Sequence, residues 1–127
     1  MVDAKEKGYA IVRDMLGPEV EALMKRSVES GAFAGEIGEL SVENVFGRLW
    51  SREGLGRRDR SLVTLGILIA LRATEEMHYH FPLALKNGVT KDELAEVIYH
   101  ASGYAGFPAA ATATMVAQKI FDGKPVE

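Results

Sequence analysis

The segment from Leu62 to Leu71 constrains the fold more than any other part of the chain. It reads Leu-Val-Thr-Leu-Gly-Ile-Leu-Ile-Ala-Leu, so a helix built from it is almost entirely apolar around its circumference. Such a helix is normally buried on every side of a globular core, and this one is too short to span a bilayer. We therefore predict that it is a central helix, capped by Asp59, and the most buried segment of the molecule.

The sequence on both sides of this segment has helical rather than strand periodicity. Asn87-Gly88 and Gly106-Phe107-Pro108 are typical helix ends, and Thr90 with Glu93 three residues later has the spacing of a capping box. No stretch alternates apolar and polar residues as a half-buried strand does. The prediction is an all-α helical bundle of about six helices, forming a single domain over residues 1–127.

Composition excludes several classes of function. The formal net charge is −3, which gives no electrostatic basis for binding nucleic acid. The chain contains no cysteine, so disulfides, thiol redox catalysis and thiolate metal sites are excluded. The N-terminal residues have no apolar signal core, and no segment is long enough for a membrane span. We expect a cytoplasmic protein that acts without a membrane partner.

The candidate chemistry lies in the helix that follows the central one, for which Thr74 is the predicted N-cap. Glu76 and His80 are four residues apart, so a helix places them on one face within reach of each other. We take this carboxylate–imidazole pair as the candidate catalytic group. His78 is two residues from each of them and faces the other side. A pair supplies too few of the three or four ligands that zinc needs, so we predict no metal site.

Arginines and aromatic residues upstream of this pair are open to two interpretations. The arginine cluster either is a solvated face or forms a wall that binds carboxylates in bidentate fashion; its members are Arg48, Arg52, Arg57, Arg58 and Arg60. Trp50 and Phe46 either belong to the core or line a pocket.

Three blocks of the sequence resemble the carboxymuconolactone decarboxylase family, which shares the fold of alkyl hydroperoxidase D. They are Phe46-Gly-Arg-Leu-Trp-Ser-Arg-Glu-Gly-Leu, Arg58-Asp-Arg-Ser-Leu-Val-Thr-Leu, and Glu76-Met-His-Tyr-His with the Ala84-Leu-Lys-Asn-Gly-Val-Thr, Glu93 and Tyr104-Ala-Gly-Phe-Pro-Ala-Ala segments that follow. Their order and spacing cover most of the chain from Glu43 to the last helix.

The resemblance also distinguishes two branches of the family. The peroxidase branch carries a Cys-x-x-Cys-x-x-x-His motif, and with His80 as its histidine the cysteine positions are Ala73 and Glu76. Ser61 stands where that branch has a proton-relay glutamate. Thiol-dependent peroxide reduction is therefore chemically impossible here, and the Glu-x-x-x-His pair resembles the decarboxylase branch. Pro82 departs from the family pattern and should kink its helix.

The resemblance implies decarboxylation of 4-carboxymuconolactone to 3-oxoadipate enol-lactone, a step of aromatic catabolism. The conjugated lactone accepts the electrons itself, so no cofactor is implied. His80 would donate the proton, and Glu76 would orient it and favour its charged form. Residues implied to bind the small-molecule substrate are Arg48, Trp50, Arg52, Arg60, His78 and Tyr104.

The resemblance implies, in addition, a homohexamer built as a trimer of dimers. Two other functions fit the same residues. One is a different lyase or isomerase acting on another unsaturated acid or lactone. The other is a non-catalytic oligomeric protein in which Glu76 and His80 are structural.

Overall fold

The computed structural model of the protein describes residues 2–123, and these contain helices and no strand. The elements are α1 (Ala4–Leu16), α2 (Pro18–Glu29), α3 (Ile37–Ser41), a π-helix (Val42–Trp50), α4 (Arg57–Leu71), α5 (Thr74–Lys86), α6 (Lys91–Ala105) and α7 (Phe107–Phe121). The predicted all-α class is confirmed, and the expected number of about six helices is close to that observed. The predicted domain over residues 1–127 stays a prediction, and its ends, residue 1 and residues 124–127, lie outside the described residues. The helices fall into two compact groups, which divide between Leu55 and Gly56.

In the first group, α1 packs directly against the π-helix, backbone against backbone. A Cβ atom on Gly8 would overlap the carbonyl oxygen of Val42, and one on Gly47 would overlap the carbonyl oxygen of Ala4. Only glycine allows such an approach. The sequence pattern indicated a helix at each place, but not this contact.

A buried carboxylate joins α1 to α2 in the same group. Glu21 is only 7% exposed and accepts two hydrogen bonds from Arg13, at 2.9 and 2.8 Å, and one from Lys25 at 3.4 Å. The hydrogen bonds from Arg13 lower the pKa of Glu21 below its ordinary value, against the opposing effect of burial. A charge in this position is stable because it is paired in bidentate geometry.

The second group packs α4 against α5, α6 and α7 around one apolar core. Leu65 and Ile69 of α4 are fully buried in it. The prediction that α4 is buried on every side was wrong, because Val63, Ile67 and Leu71 are 54%, 53% and 70% exposed. Within the described part of this group α4 packs against α5, α6 and α7, and these three helices leave one of its faces exposed.

The ends of α4 and α5 differ in part from those predicted. Asp59 lies within the first turn of α4, which is capped at Gly56, so it is not the N-cap. Thr74 is the first residue of α5 and not its cap. Asn87-Gly88 ends α5 as predicted, with Gly88 at a φ of 100°. The helix continues through Pro82, which has no N–H to donate to the carbonyl of His78.

The N-terminus of α6 is anchored to α4 through one carboxylate. The predicted capping box is confirmed: the Thr90 N–H donates to Glu93 Oε1 at 2.9 Å, and the Glu93 N–H donates to Thr90 Oγ1 at 3.1 Å. Arg58 of α4 donates to the other carboxylate oxygen of Glu93 and, at 3.3 Å, to the carbonyl of Gly88. The hydrogen bond from Arg58 is the largest cause that lowers the pKa of Glu93 to about 2.

Candidate functional site

Glu76 and His80 occupy successive turns of α5, as the spacing predicted. The Glu76 side chain is exposed, whereas His80 is half-buried. Burial lowers the pKa of His80 below its ordinary value of 6.5, and the nearby negative charge of Glu76 acts in the opposite direction. Glu76 therefore favours the imidazolium form, but the effect of burial on the pKa of His80 is the larger of the two. An exposed carboxylate is screened by water, and desolvation of the imidazole outweighs it.

His78 lies on the same helix and faces away from this pair. It is half-buried, and its Nδ1 atom is enclosed without a hydrogen-bond partner among the described residues. Nδ1 of His80 is enclosed in the same way, so this feature does not distinguish the two histidines. The next residue, Tyr79, is 58% exposed and points into solvent.

The two other predicted substrate-binding residues of the second group lie on α4 and α6. Arg60 is half-buried in the first turn of α4. Tyr104 is 86% exposed near the end of α6, and its ring centroid is 5.2 Å from that of His100. The structure thus places Tyr104 beside a histidine other than the predicted one.

The remaining predicted residues belong to the first group of helices. Arg48 is exposed on the π-helix, 3.5 Å from Glu43 in an ion pair. Trp50 is 7% exposed and stacks on Phe46, with 6.4 Å between ring centroids and 22° between ring planes. Arg52 is exposed just after the π-helix. Of the two interpretations of Trp50 and Phe46, burial within this group favours the core.

An open groove of about 740 Å³ runs between α4 and α6. Its walls are largely apolar, and its lining residues are Leu62, Gly66, Ala70, Glu93, Glu96, Val97, His100, Ala101, Tyr104 and Ala105. No residue of α5 contributes to the lining. The groove is therefore a separate feature from the Glu76–His80 pair.

Sequence reasoning missed a second carboxylate–imidazole pair in this groove. Glu96 and His100 are also four residues apart on one helix, and both side chains are exposed. The same spacing rule would have found them. It also missed the hydrogen bond from Asn87 Nδ2 to Oγ of the fully buried Ser61, at 3.0 Å, for which the sequence gives no local signal because the two residues are far apart in the chain.

The described residues contain no cluster that would hold a metal ion and no helix suited to cross a membrane. Over residues 2–123, no three side chains of His, Asp or Glu converge in a way that would ligate a cation. None of the helices described there is both long enough and apolar enough for a membrane span.

Comparison with known proteins identifies the family to which this chain belongs. Residues 35–119 match the carboxymuconolactone decarboxylase family, and this range includes every predicted site residue. The chain is a member of that family. It is 38% identical over 117 residues to 4-carboxymuconolactone decarboxylase of Acinetobacter baylyi, covering 91% of this chain and 85% of the relative. It is 37% identical, also over 117 residues, to nitrosuccinic acid decarboxylase of Metarhizium robertsii, covering 92% of this chain and 80% of that protein.

Membership of the family confirms the resemblance drawn from the three sequence blocks. Both relatives align with nearly the whole chain, so the similarity is not confined to the residues around Glu76 and His80. Their names differ in substrate but share a reaction type, the loss of a carboxyl group. The assignment of single residues to catalysis rests on their geometry and chemistry.

Proposed function

We propose that this protein is a carboxy-lyase that decarboxylates 4-carboxymuconolactone to 3-oxoadipate enol-lactone. The observation that carries the proposal is the match, over 91% of the chain, to a relative named for this reaction. The Glu76–His80 pair supports it, because decarboxylation of such a lactone ends with delivery of a proton to carbon. A half-buried imidazole next to a carboxylate is a suitable group for that step.

The proposed reaction needs no external electron acceptor. The bond between the carboxylate and the lactone ring breaks, and its electron pair moves through the ring double bond into the lactone carbonyl. Carbon dioxide leaves and a dienolate remains, with negative charge on the lactone oxygen. A proton then adds to carbon to give the enol-lactone. The protein has to stabilise the dienolate and supply that proton.

His80 is the proposed proton donor. Burial keeps its pKa below 6.5 in the free protein, so the neutral imidazole predominates there at neutral pH. A substrate that carries two carboxylates brings negative charge to the site, and this raises the pKa of a neighbouring imidazole. The imidazolium is then formed mainly when substrate is bound. Glu76, one turn earlier on the same face of α5, supports this charge.

The spectator carboxylate of the substrate requires a cation. Arg60 is the candidate in the second group of helices, because it is half-buried on α4 and a guanidinium binds a carboxylate through two parallel hydrogen bonds. Arg48 and Arg52 remain candidates for the same role in the first group. His78, which is half-buried on α5, is a further candidate for contact with the substrate through the exposed part of its ring.

Nitrosuccinic acid is a second candidate substrate, favoured by the similarity to an enzyme named for its decarboxylation. The two acids share their essential chemistry. In each, the carbon that loses carbon dioxide is conjugated with, or attached to, an electron-accepting group, and a second carboxylate stays in the product. The shared substrate class is therefore a dicarboxylic acid with its own electron sink.

Release of carbon dioxide from a small panel of acids tests the proposal. The purified protein is incubated separately with 4-carboxymuconolactone, nitrosuccinic acid and succinic acid, the last of which has two carboxylates but no electron sink. We expect the highest kcat/KM with the lactone and no release from succinic acid. Faster turnover of nitrosuccinic acid would assign the second substrate instead. No release from the lactone or the nitro acid would refute the carboxy-lyase assignment for this substrate class.

A further inference from the structure

The side of α6 that lines the open groove carries a carboxylate, an imidazole and a phenol in a row. Glu96, His100 and Tyr104 all contribute to the lining and are spaced four residues apart, so they lie one above another on a single face of the helix. All three side chains are exposed, and 5.2 Å separates the ring centroids of His100 and Tyr104. The helix rises by about 12 Å from Glu96 to Tyr104, so the row extends over two turns.

The space between this row and α4 is apolar and unfilled. Gly66 and Ala70 line it on α4, and Val97 and Ala101 line it on α6. Apart from the backbone of its own helix, a Cβ atom on Gly66 would have no neighbour within 4 Å among the described residues. The groove volume of about 740 Å³ falls within the range of about 300–1,000 Å³ that is typical of small-molecule sites.

One of the two carboxylates in the groove has no paired cation among the described residues. Glu93 accepts hydrogen bonds from Arg58 and from the Thr90 backbone, so its charge is compensated. Glu96 makes no hydrogen bond or ion pair with any of the described residues. The described residues that line the groove include no lysine or arginine. The groove therefore favours a cationic ligand and disfavours the dicarboxylic acids proposed as substrates, because electrostatic complementarity selects the opposite charge.

We propose that the groove is a second small-molecule site, separate from the Glu76–His80 pair, which binds an elongated organic cation with an apolar body. The ammonium head of the ligand lies at Glu96, where it donates hydrogen bonds to the carboxylate. The apolar body extends from there toward Tyr104 and covers the small residues of α4. The exposed ring of Tyr104 provides an aromatic surface on which the far end of the body stacks.

The size of the groove favours a small molecule over a protein partner. Ten residues line it, whereas a standard protein–protein interface takes about 20–30 residues from each side. Small-molecule sites combine apolar walls with a few polar groups that fix the orientation of the ligand. Here the walls come from both helices, and Glu96 is the group that fixes the head of the ligand.

Three probes with a common phenylbutyl body test the charge of the occupant. They are 4-phenylbutylammonium, 4-phenylbutan-1-ol and 5-phenylpentanoate, each titrated into isotopically labelled protein at low ionic strength while amide chemical shifts are followed. We expect the ammonium to bind with a Kd of about 1 mM or below and to shift the amides of Gly66 and Ala101. It should bind about fivefold more tightly than the alcohol, the contribution of one exposed ion pair, and the carboxylate should bind most weakly.

No binding of the ammonium at millimolar concentration would overturn the proposal. A Kd for the alcohol or the carboxylate as low as that for the ammonium would overturn it as well, and so would shifts confined to α5. The titration measures binding and not turnover, so its result does not depend on the proposed carboxy-lyase reaction.

Removing one carboxylate at a time identifies the group that holds the ammonium. Glu96→Gln keeps the shape of the side chain but removes its charge, so the affinity for the ammonium should fall about fivefold and that for the alcohol should stay the same. Glu76→Gln is the matched control, because Glu76 has the same spacing from a histidine but lies outside the groove. An unchanged affinity in Glu96→Gln, or an equal loss in Glu76→Gln, would contradict the proposed position of the head.

Filling the groove tests the position of the apolar body. Gly66→Leu places a side chain in the open space, so we expect it to abolish detectable binding of the ammonium and of the alcohol. Gly38→Leu is the control, since Gly38 also lies in a helix and has no atom within 4 Å of its Cβ position among the described residues. Circular dichroism shows whether both variants keep their helices. Binding that a folded Gly66→Leu protein retains in full would refute the site.

Discussion

Two helices of the second group carry the same pair of residue types at the same spacing, in different surroundings. On α5, Glu76 is exposed and His80 is half-buried, with a pKa that burial lowers. On α6, Glu96 and His100 are both exposed, and His100 contacts the ring of Tyr104 across 5.2 Å. Spacing therefore identifies both pairs but does not distinguish them.

The two histidines differ in how far their imidazoles are removed from water. An imidazole removed from water responds strongly to a charge that enters its surroundings, whereas an exposed one is screened. The α5 histidine is consequently suited to exchange a proton with a bound dicarboxylate. The α6 histidine lies at the wall of the open groove. The α5 pair is therefore the candidate for proton transfer, and the α6 pair provides a matched control for it.

Removing each imidazole separately should give the largest difference in kcat between the two pairs. We expect His80→Ala to lower kcat by about 10²–10⁴-fold, the usual contribution of a positioned acid or base. His100→Ala should retain kcat within about threefold, because it is not placed at the proton-transfer step; effects of exposed side chains are usually small. Steady-state turnover on the lactone measures both.

Each variant has to be folded and assembled like the wild type before the kcat values are compared. Circular dichroism and sedimentation of each variant provide that control, since a defect in α5 packing would also reduce turnover. A folded and assembled His80→Ala protein with near-normal kcat would remove His80 from the mechanism. Equal losses in the two variants would contradict the distinction between the pairs.

Removal of the α5 carboxylate should have a smaller effect that depends on pH. The charge of Glu76 raises the His80 pKa, so Glu76→Gln should lower it further. If the imidazolium is the donor, kcat/KM falls as pH rises through this pKa, which lies below 6.5 in the wild type. We expect the inflection to move to lower pH in Glu76→Gln and to stay in place in Glu96→Gln.

The measurement is kcat/KM from about pH 5 to 8, at constant low ionic strength so that screening does not mask the carboxylate. The inflection in kcat should lie at higher pH than that in kcat/KM, because bound substrate favours the charged imidazole. A shift of the Glu76→Gln profile toward higher pH would contradict the proposed role of this carboxylate.

Local patterns were sufficient to predict the elements of the fold but not all of their surroundings. The Thr90–Glu93 capping box and the Asn87-Gly88 helix end were predicted correctly because each depends on residues that are adjacent or one turn apart. The exposure of one side of α4 was not predicted. The apolar composition of a helix indicates that it is buried, but it does not identify what covers each side.

Local sequence patterns were limited in the same way for the candidate site. The spacing of Glu76 and His80 predicted their shared face, but the direction of the His80 pKa shift depends on burial, which local spacing does not reveal. The contact of Gly8 with the backbone of Val42 and the hydrogen bond between Asn87 and Ser61 likewise join distant parts of the sequence. One sequence contains no signal for such contacts, because each residue type is common in other settings.

The smallest effect is expected for the third α5 residue, His78. Helical periodicity directs it away from Glu76, and its enclosed Nδ1 has no hydrogen-bond partner among the described residues. If the exposed part of its ring binds substrate without taking part in proton transfer, His78→Ala should raise KM by about tenfold, which corresponds to one hydrogen bond, and leave kcat nearly unchanged. His78→Asn should restore part of the affinity, because its amide can also donate or accept. A loss confined to kcat would instead place His78 at the proton-transfer step and remove the distinction between the two faces of α5.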